Sequence, residues 1–139
     1  MADDWNSKII EEFRANGGKV GGMFAGNTLA LVHHKGRRSG RELVAPLAYR
    51  AGGGGRIYVF ASKGGAPTNP DWYYNLVAAG NANVEVGTEI YPVRVTELLG
   101  AERDRVFDEQ AHQHEGFAEY AEKTKGIRVI PVLALDRTE

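Results

Sequence analysis

The sequence predicts one α+β domain: a small, mostly antiparallel barrel of six to seven strands with flanking helices at its ends. Three observations predict it. A chain of 139 residues is one domain's length and can bury roughly two-thirds of the surface it exposes when unfolded. Glycine occupies 18 positions, about twice the usual share of ~7%, so turns are many and strands short. Six apolar runs with strand character alternate with glycine- and proline-bearing segments, and four stretches of helical periodicity fall among them.

The chain opens on a helix. Trp5, Ile9 and Phe13 recur every fourth residue with Ile10 beside them, which gives one apolar face. Asp3 or Asp4 caps its start and Gly17-Gly18 stops it, so residues 1–18 are a helix and lead-in to the single domain 1–139. That face is short and its polar side carries both signs. Packing on its own domain is favoured, with loose association at a membrane surface as the alternative.

Strands follow over residues 28–34 and 43–49, and the four glycines 52–55 turn into a third over 56–61. This spacing describes a meander with loops at alternating ends. Pro46 has no N–H to donate and belongs at a bulge or an edge. Asn69 or Thr68 then caps a helix with Pro70 at its first position, running through Trp72, Leu76 and Val77 to Gly80. Two more strands, 83–86 and 91–96, are joined by Gly87-Thr88-Glu89. Helices cover about 101–112 and 117–124. The last strand is 129–135, with Pro131 again arguing for an edge.

Composition excludes several functions. Cysteine is absent, so there are no disulfides, thiol nucleophiles or thiolate metal sites. No apolar run approaches the ~20 residues of a membrane span, and the acidic, aromatic N-terminus is not a secretion signal, which predicts a cytoplasmic setting. Charge is unevenly spread. Residues 1–63 hold ten Lys and Arg against five Asp and Glu, whereas residues 64–139 hold seven against thirteen. That imbalance suits a local anion site better than a surface coated for nucleic acid.

The anion site has two candidate halves, Lys35-Gly36-Arg37-Arg38-Ser39-Gly40-Arg41 and Ser62-Lys63-Gly64-Gly65-Ala66-Pro67. Each follows a strand, so both can open on the same edge of the sheet. Glycine lets backbone N–H groups turn toward an anion, and Lys, Arg and Ser add charge-assisted hydrogen bonds. No dinucleotide-binding fingerprint or Walker A motif is present. His33 and His34 are neighbours on a strand and point to opposite faces, so they do not share a metal. His112 and His114 read as surface histidines, and no metal site is expected. Without a nucleophile, metal or acid–base pair, chemistry has to come from a bound cofactor.

Five motifs in order carry a resemblance: Lys35-Gly-Arg-Arg-Ser-Gly, Pro46-Leu47, Ala61-Ser-Lys-Gly-Gly-Ala-Pro67, Asn69-Pro-Asp-Trp-Tyr-x-Asn75-Leu76 and Val84-Glu-Val-Gly87. Together they resemble the actinobacterial deazaflavin-dependent nitroreductase family, split β-barrel reductases that use coenzyme F420, an 8-hydroxy-5-deazaflavin with a phospholactyl-glutamate tail. The likeness spans about residues 16–135. It implies that Arg37, Arg38 and Ser39 hold the phosphate and tail, with Lys63 reaching in from the second loop. It also implies that Val44, Ala45, Pro46, Leu47 and Ala48 border the ring through their backbone, opposite Phe60, Ala61 and Ser62. Asp71, Trp72 and Asn75 complete the pocket wall on the helix. Relatives carry an Arg where this chain has Leu43, and Arg41 stands nearby.

The reaction implied is hydride delivery from the reduced coenzyme to an electron-poor small molecule: a conjugated ester or lactone, a quinone or a nitro compound. Ser62 and Tyr120 are the candidates to stabilise negative charge on the acceptor. Relatives carry tyrosines around the substrate mouth; here Phe117 takes one such place and Tyr120 remains. Small-molecule substrate, no nucleic acid, no integral membrane segment, and a monomer or homodimer are expected. Three rival readings are a non-catalytic carrier of the deazaflavin or an apolar ligand, a flavin (FMN) user on the same barrel, and a binder of single-stranded nucleic acid. The acidic C-terminal half opposes the last.

Overall fold

Period-two alternation sorts the strand residues into an inner and an outer set, and a closed barrel satisfies both. The computed structural model describes residues 2–17 and 29–138, with side chains from Ser7 onward. In order the elements are α1 (Ala2–Ala15), β1 (Leu29–Lys35), β2 (Glu42–Gly53), β3 (Arg56–Phe60), α2 (Asp71–Ala79), β4 (Asn81–Val86), β5 (Glu89–Leu98), α3 (Gly100–Gln113), α4 (Glu115–Thr124) and β6 (Val132–Arg137). A short 3-10 turn, Lys63–Gly65, lies between β3 and α2. The six strands close in the order β1-β2-β3-β6-β5-β4, every pair antiparallel.

Ala30, Val32, Ile57, Val59, Val84, Tyr91, Val93, Leu133 and Leu135 fill the barrel, and Leu76 of α2 closes one end. The outward set is covered by helices. Ile9 and Phe13 of α1 lie on Leu29 and Leu31. Val106, Phe107, Phe117 and Tyr120 of α3 and α4 cover Tyr58, Phe60, Val132 and Ala134. Arg14 also ties α1 to β4, donating to both oxygens of Glu85 at 3.0 and 2.6 Å.

Several sequence expectations shift. Asp3 and Asp4 sit inside α1 rather than capping it, since the helix begins at Ala2. Gly17, at φ 64°, takes the left-handed conformation that ends a helix, while Gly18 and Thr28 lie outside the described residues. Pro70, in extended backbone, holds the N-cap position of α2, displacing the expected Thr68 or Asn69 cap; Asn69 makes other bonds. β2 continues through Gly53, with a register shift between Ala51 and Gly53, so the turn narrows to the last two glycines. The last strand begins at Val132, not 129, and it is no edge: it pairs with both β3 and β5. Pro131 stands just before it, its carbonyl accepting from Ala61 N–H at 2.9 Å, where a missing N–H costs no ladder bond.

Candidate functional site

β1 and β3 both run antiparallel to β2, so the loops that follow them emerge at the same end of the barrel. Between them β2 is half paired. Residues 42–48 register with β1, from Lys35↔Glu42 to Leu29↔Ala48. On the other side the ladder to β3 begins only at Tyr49↔Val59. The stretch Glu42–Ala48 therefore has no strand partner on its β3 side among the described residues. It includes all five residues expected to border the ring, and Val44 to Ala48 are half-buried. An open edge of this kind offers backbone N–H and C=O groups to whatever lies against it. Pro46 fits such a place, because its missing donor costs the β1 ladder nothing when its nitrogen faces the open side. Leu47 packs into the barrel core, whereas Val44 and Ala48 pack toward α1.

The first loop is latched to α2. Asn75, buried at 3% exposure, accepts on Oδ1 from both the backbone N–H and Nη1 of Arg37, at 3.1 and 2.9 Å. Its Nδ2 donates to Nδ1 of His34 at 3.0 Å. Burial, and then the charge of His33, lower the pKa of His34 against a smaller pull from Asp71, which favours the neutral ring that this bond requires. Arg37 also lies 3.8 Å from Asp71 and over the Tyr74 ring at 5.1 Å. Ser39 Oγ takes a bond from Arg41 N–H at 3.2 Å and sits close over Gly36, where an added Cβ would meet it at 2.4 Å. Thus Arg37 and Ser39 shape the loop. The side chains of Lys35, Arg38 and Arg41 are exposed and have no partner among the described residues.

Strain marks the second loop. Lys63 has φ 48°, the only non-glycine residue at positive φ among those described. A β-carbon there costs about 1 kcal/mol or more. It follows Ser62 at φ −73°, ψ −37° and precedes Gly64 at φ 64°. Right-handed then left-handed backbone turns successive N–H groups to one side, forming a concavity suited to an anion. Lys63 Nζ reaches only as far as Thr68 Oγ1, at 3.1 Å within its own loop. Gly65 packs against α4, where an added Cβ would stand 3.4 Å from the Tyr120 Cα and 2.9 Å from Lys123. Tyr120 is half-buried, edge-on to Phe117 at 5.5 Å, and Phe117 is edge-on to Phe60 at 5.3 Å. Ser62 is half-buried and its hydroxyl caps no helix.

Trp72 packs on the barrel core as an anchor of α2, which Tyr73 also fixes by donating to Glu97 at 2.7 Å. Burial and that bond hold the Tyr73 phenol at a pKa of about 12. His33 faces outward, bonded to Glu85 at 2.6 Å and Glu42 at 3.0 Å, while His34 faces α2, so the two do diverge. Sequence reasoning missed Arg128, which binds the second loop from a segment with no motif of its own. It also missed a cavity of about 790 Å³ on the other flank of the first loop, lined by His34, Lys35, Asn81, Asn83 and Arg94 among others.

A deazaflavin nucleotide fits these residues. The second loop offers an anion concavity with a strained lysine. Unpaired cations crowd the first loop for a polyanionic tail, and the open edge of β2 presents backbone to a flat ring.

The profile of the F420H(2)-dependent quinone reductase family matches residues 5–136. A Mycobacterium tuberculosis protein, Rv3178, provisionally named an F420H(2)-dependent quinone reductase, is 32% identical over 105 residues, 76% of this chain and 86% of that one. The F420H(2)-dependent quinone reductase Rv1261c of the same organism is 28% identical over 132 residues, 90% of this chain and 85% of its own. Among solved structures, an F420-H2 dependent reductase, FDR-A, superposes with a TM-score of 0.69 at 32% identity, covering 78% of this chain and 93% of its own. A structure described as a domain-swapped dimer gives 0.71 at 29% identity, covering 98% and 100%.

Proposed function

This chain belongs to the F420H(2)-dependent quinone reductase family and is a reductase that uses coenzyme F420; from that premise we propose which residues hold the coenzyme and what it reduces. The observation that carries the proposal is the placement of two cationic loops at one barrel end, on either side of the unpaired half of β2.

In this reading Lys63 and the N–H groups around it bind the coenzyme phosphate, and Arg38 the carboxylates of its tail, each charged bond contributing roughly 1.5–3 kcal/mol. Arg37 and Ser39 act beside them chiefly by holding the first loop in shape, Arg37 through Asn75 and near Asp71. The backbone of Val44, Ala45, Pro46, Leu47 and Ala48 borders the ring, with Phe60, Ala61 and Ser62 opposite and Trp72 holding α2 at the barrel end. When bound in its reduced form, coenzyme F420 supplies a hydride.

The chain's own part is to orient, to exclude water and to answer charge. Ser62 at the loop and Tyr120 behind it offer hydroxyls to the oxygen of an acceptor as it becomes negative. Phe117 and Tyr120, both half-buried, with Phe117 backed edge-on by the buried Phe60, give the acceptor side an apolar, aromatic flank. Such a flank suits a flat, uncharged, electron-poor acceptor. We take a quinone as the substrate class, ahead of conjugated esters, lactones and nitro compounds, because the flank is aromatic and a quinone presents oxygens for both hydroxyls.

Single-turnover mixing tests this. Reduced coenzyme F420 premixed with the protein and then with menadione should regain its oxidised absorbance with saturable dependence on menadione. A protein that binds the coenzyme and leaves it reduced is a carrier, and the proposal fails.

A further inference from the structure

Arg128 lies between α4 and β6, far along the chain from the second loop, yet its guanidinium is spent on that loop. Nε donates to the Ala66 carbonyl at 3.0 Å and Nη2 to the Ser62 carbonyl at 2.9 Å. Nη1 donates to the Ala61 carbonyl at 3.1 Å and to Asn69 Oδ1 at 2.7 Å. A guanidinium has five N–H donors, so four of them grip one turn of chain.

Two consequences follow from peptide geometry and charge. Across a trans peptide the C=O and the next N–H point in opposite directions. Drawing the carbonyls of Ala61 and Ser62 toward Arg128 therefore turns the N–H groups of Ser62 and Lys63 away from it. Those are the groups of the anion concavity, and the grip also offsets the cost of holding Lys63 at φ 48°. Second, all four acceptors are neutral. No carboxylate pairs with Arg128 among the described residues, so its positive charge stays uncancelled beside the loop, and burial works against it.

We infer that Arg128 is the positioning residue of the coenzyme site: it holds the second loop in its anion-binding form before the coenzyme arrives, and its unneutralised charge adds to the attraction for the anionic tail. This rests on the reading of the second loop given above. Arg128→Lys is the discriminating variant, because lysine keeps the charge and loses the planar, multi-point grip.

Two readouts are needed: amide hydrogen exchange of residues 61–66 in coenzyme-free protein, and coenzyme F420 affinity from quenching of tryptophan fluorescence. Arg128→Lys should speed loop exchange and weaken coenzyme binding, each by about tenfold or more. The KM for reduced coenzyme should rise in step while the KM for menadione holds. Asn69→Ala removes one acceptor of the four and should give the same pattern at smaller size, which keeps the test open if the lysine variant does not fold. Unchanged exchange and affinity overturn the inference. So does faster exchange at wild-type affinity, since the grip would then serve the fold alone. If the wild-type protein bound no coenzyme, the function proposed above would fail, and the exchange measurement would still decide whether Arg128 holds the loop.

Discussion

Lys63 carries two separable properties, a charge and a strained backbone. Replacing it tests both. Lys63→Ala keeps the β-carbon at positive φ, and Lys63→Gly removes it, so the glycine variant should be more stable than the alanine variant by about 1 kcal/mol. Both should bind coenzyme F420 about tenfold more weakly than wild type, because both lose the cation. Thermal melts with binding titrations check this; equal affinity in all three proteins would remove Lys63 from the site. Residue identity in the sequence singled out Lys63 and Asn75 as candidates for the site, but not what each does in the fold. Asn75 is a buried latch for Arg37, a role that depends on the first loop folding back onto α2. Arg128 was invisible because nothing beside it in the chain marks it; only the loop it grips, more than sixty residues away, does.

Helix α1 shows what an element needs beyond its own periodicity. Its apolar face was legible from Ile9 and Phe13, but the ion pair that docks it, Arg14 with Glu85, joins segments about seventy residues apart. The Arg14 bond holds the Glu85 carboxyl below its ordinary value of 4.5, with the His33 bond helping and burial opposing. A carboxyl whose folded pKa is lowered stabilises fully above its unfolded value, and that contribution is lost as pH falls through the lowered one. The melting-temperature gap between wild type and Glu85→Gln should thus be widest above pH 4.5 and shrink below it. A gap that persists unchanged into acid would contradict the docking role. Strand limits were less legible than strand existence. The run at 129–131 is apolar enough to be read as strand, yet Val129 is exposed and Pro131 has no N–H to donate to a neighbouring strand, so pairing starts at Val132.

At the scale of the molecule, the meander of β1, β2 and β3 already placed both cationic loops at one end, since antiparallel neighbours alternate their turns. What pattern alone did not disclose is how the barrel closes. β1 pairs with β4 only from Leu31 to His33, and β2 with β3 only from Tyr49 on. These incomplete ladders leave two openings beside the first loop: the bare edge of β2, and the cavity of about 790 Å³ toward β4 and β5. Lys35 and Arg94 make that second opening a competitor for an anion, so where the coenzyme lies separates the two. The most direct measurement is a crystal structure with coenzyme F420 bound. The ring should lie along Val44–Ala48, with its phosphate at Lys63 and the N–H groups of the second loop. A coenzyme seated between His34, Asn83 and Arg94, with the second loop empty, would contradict the account.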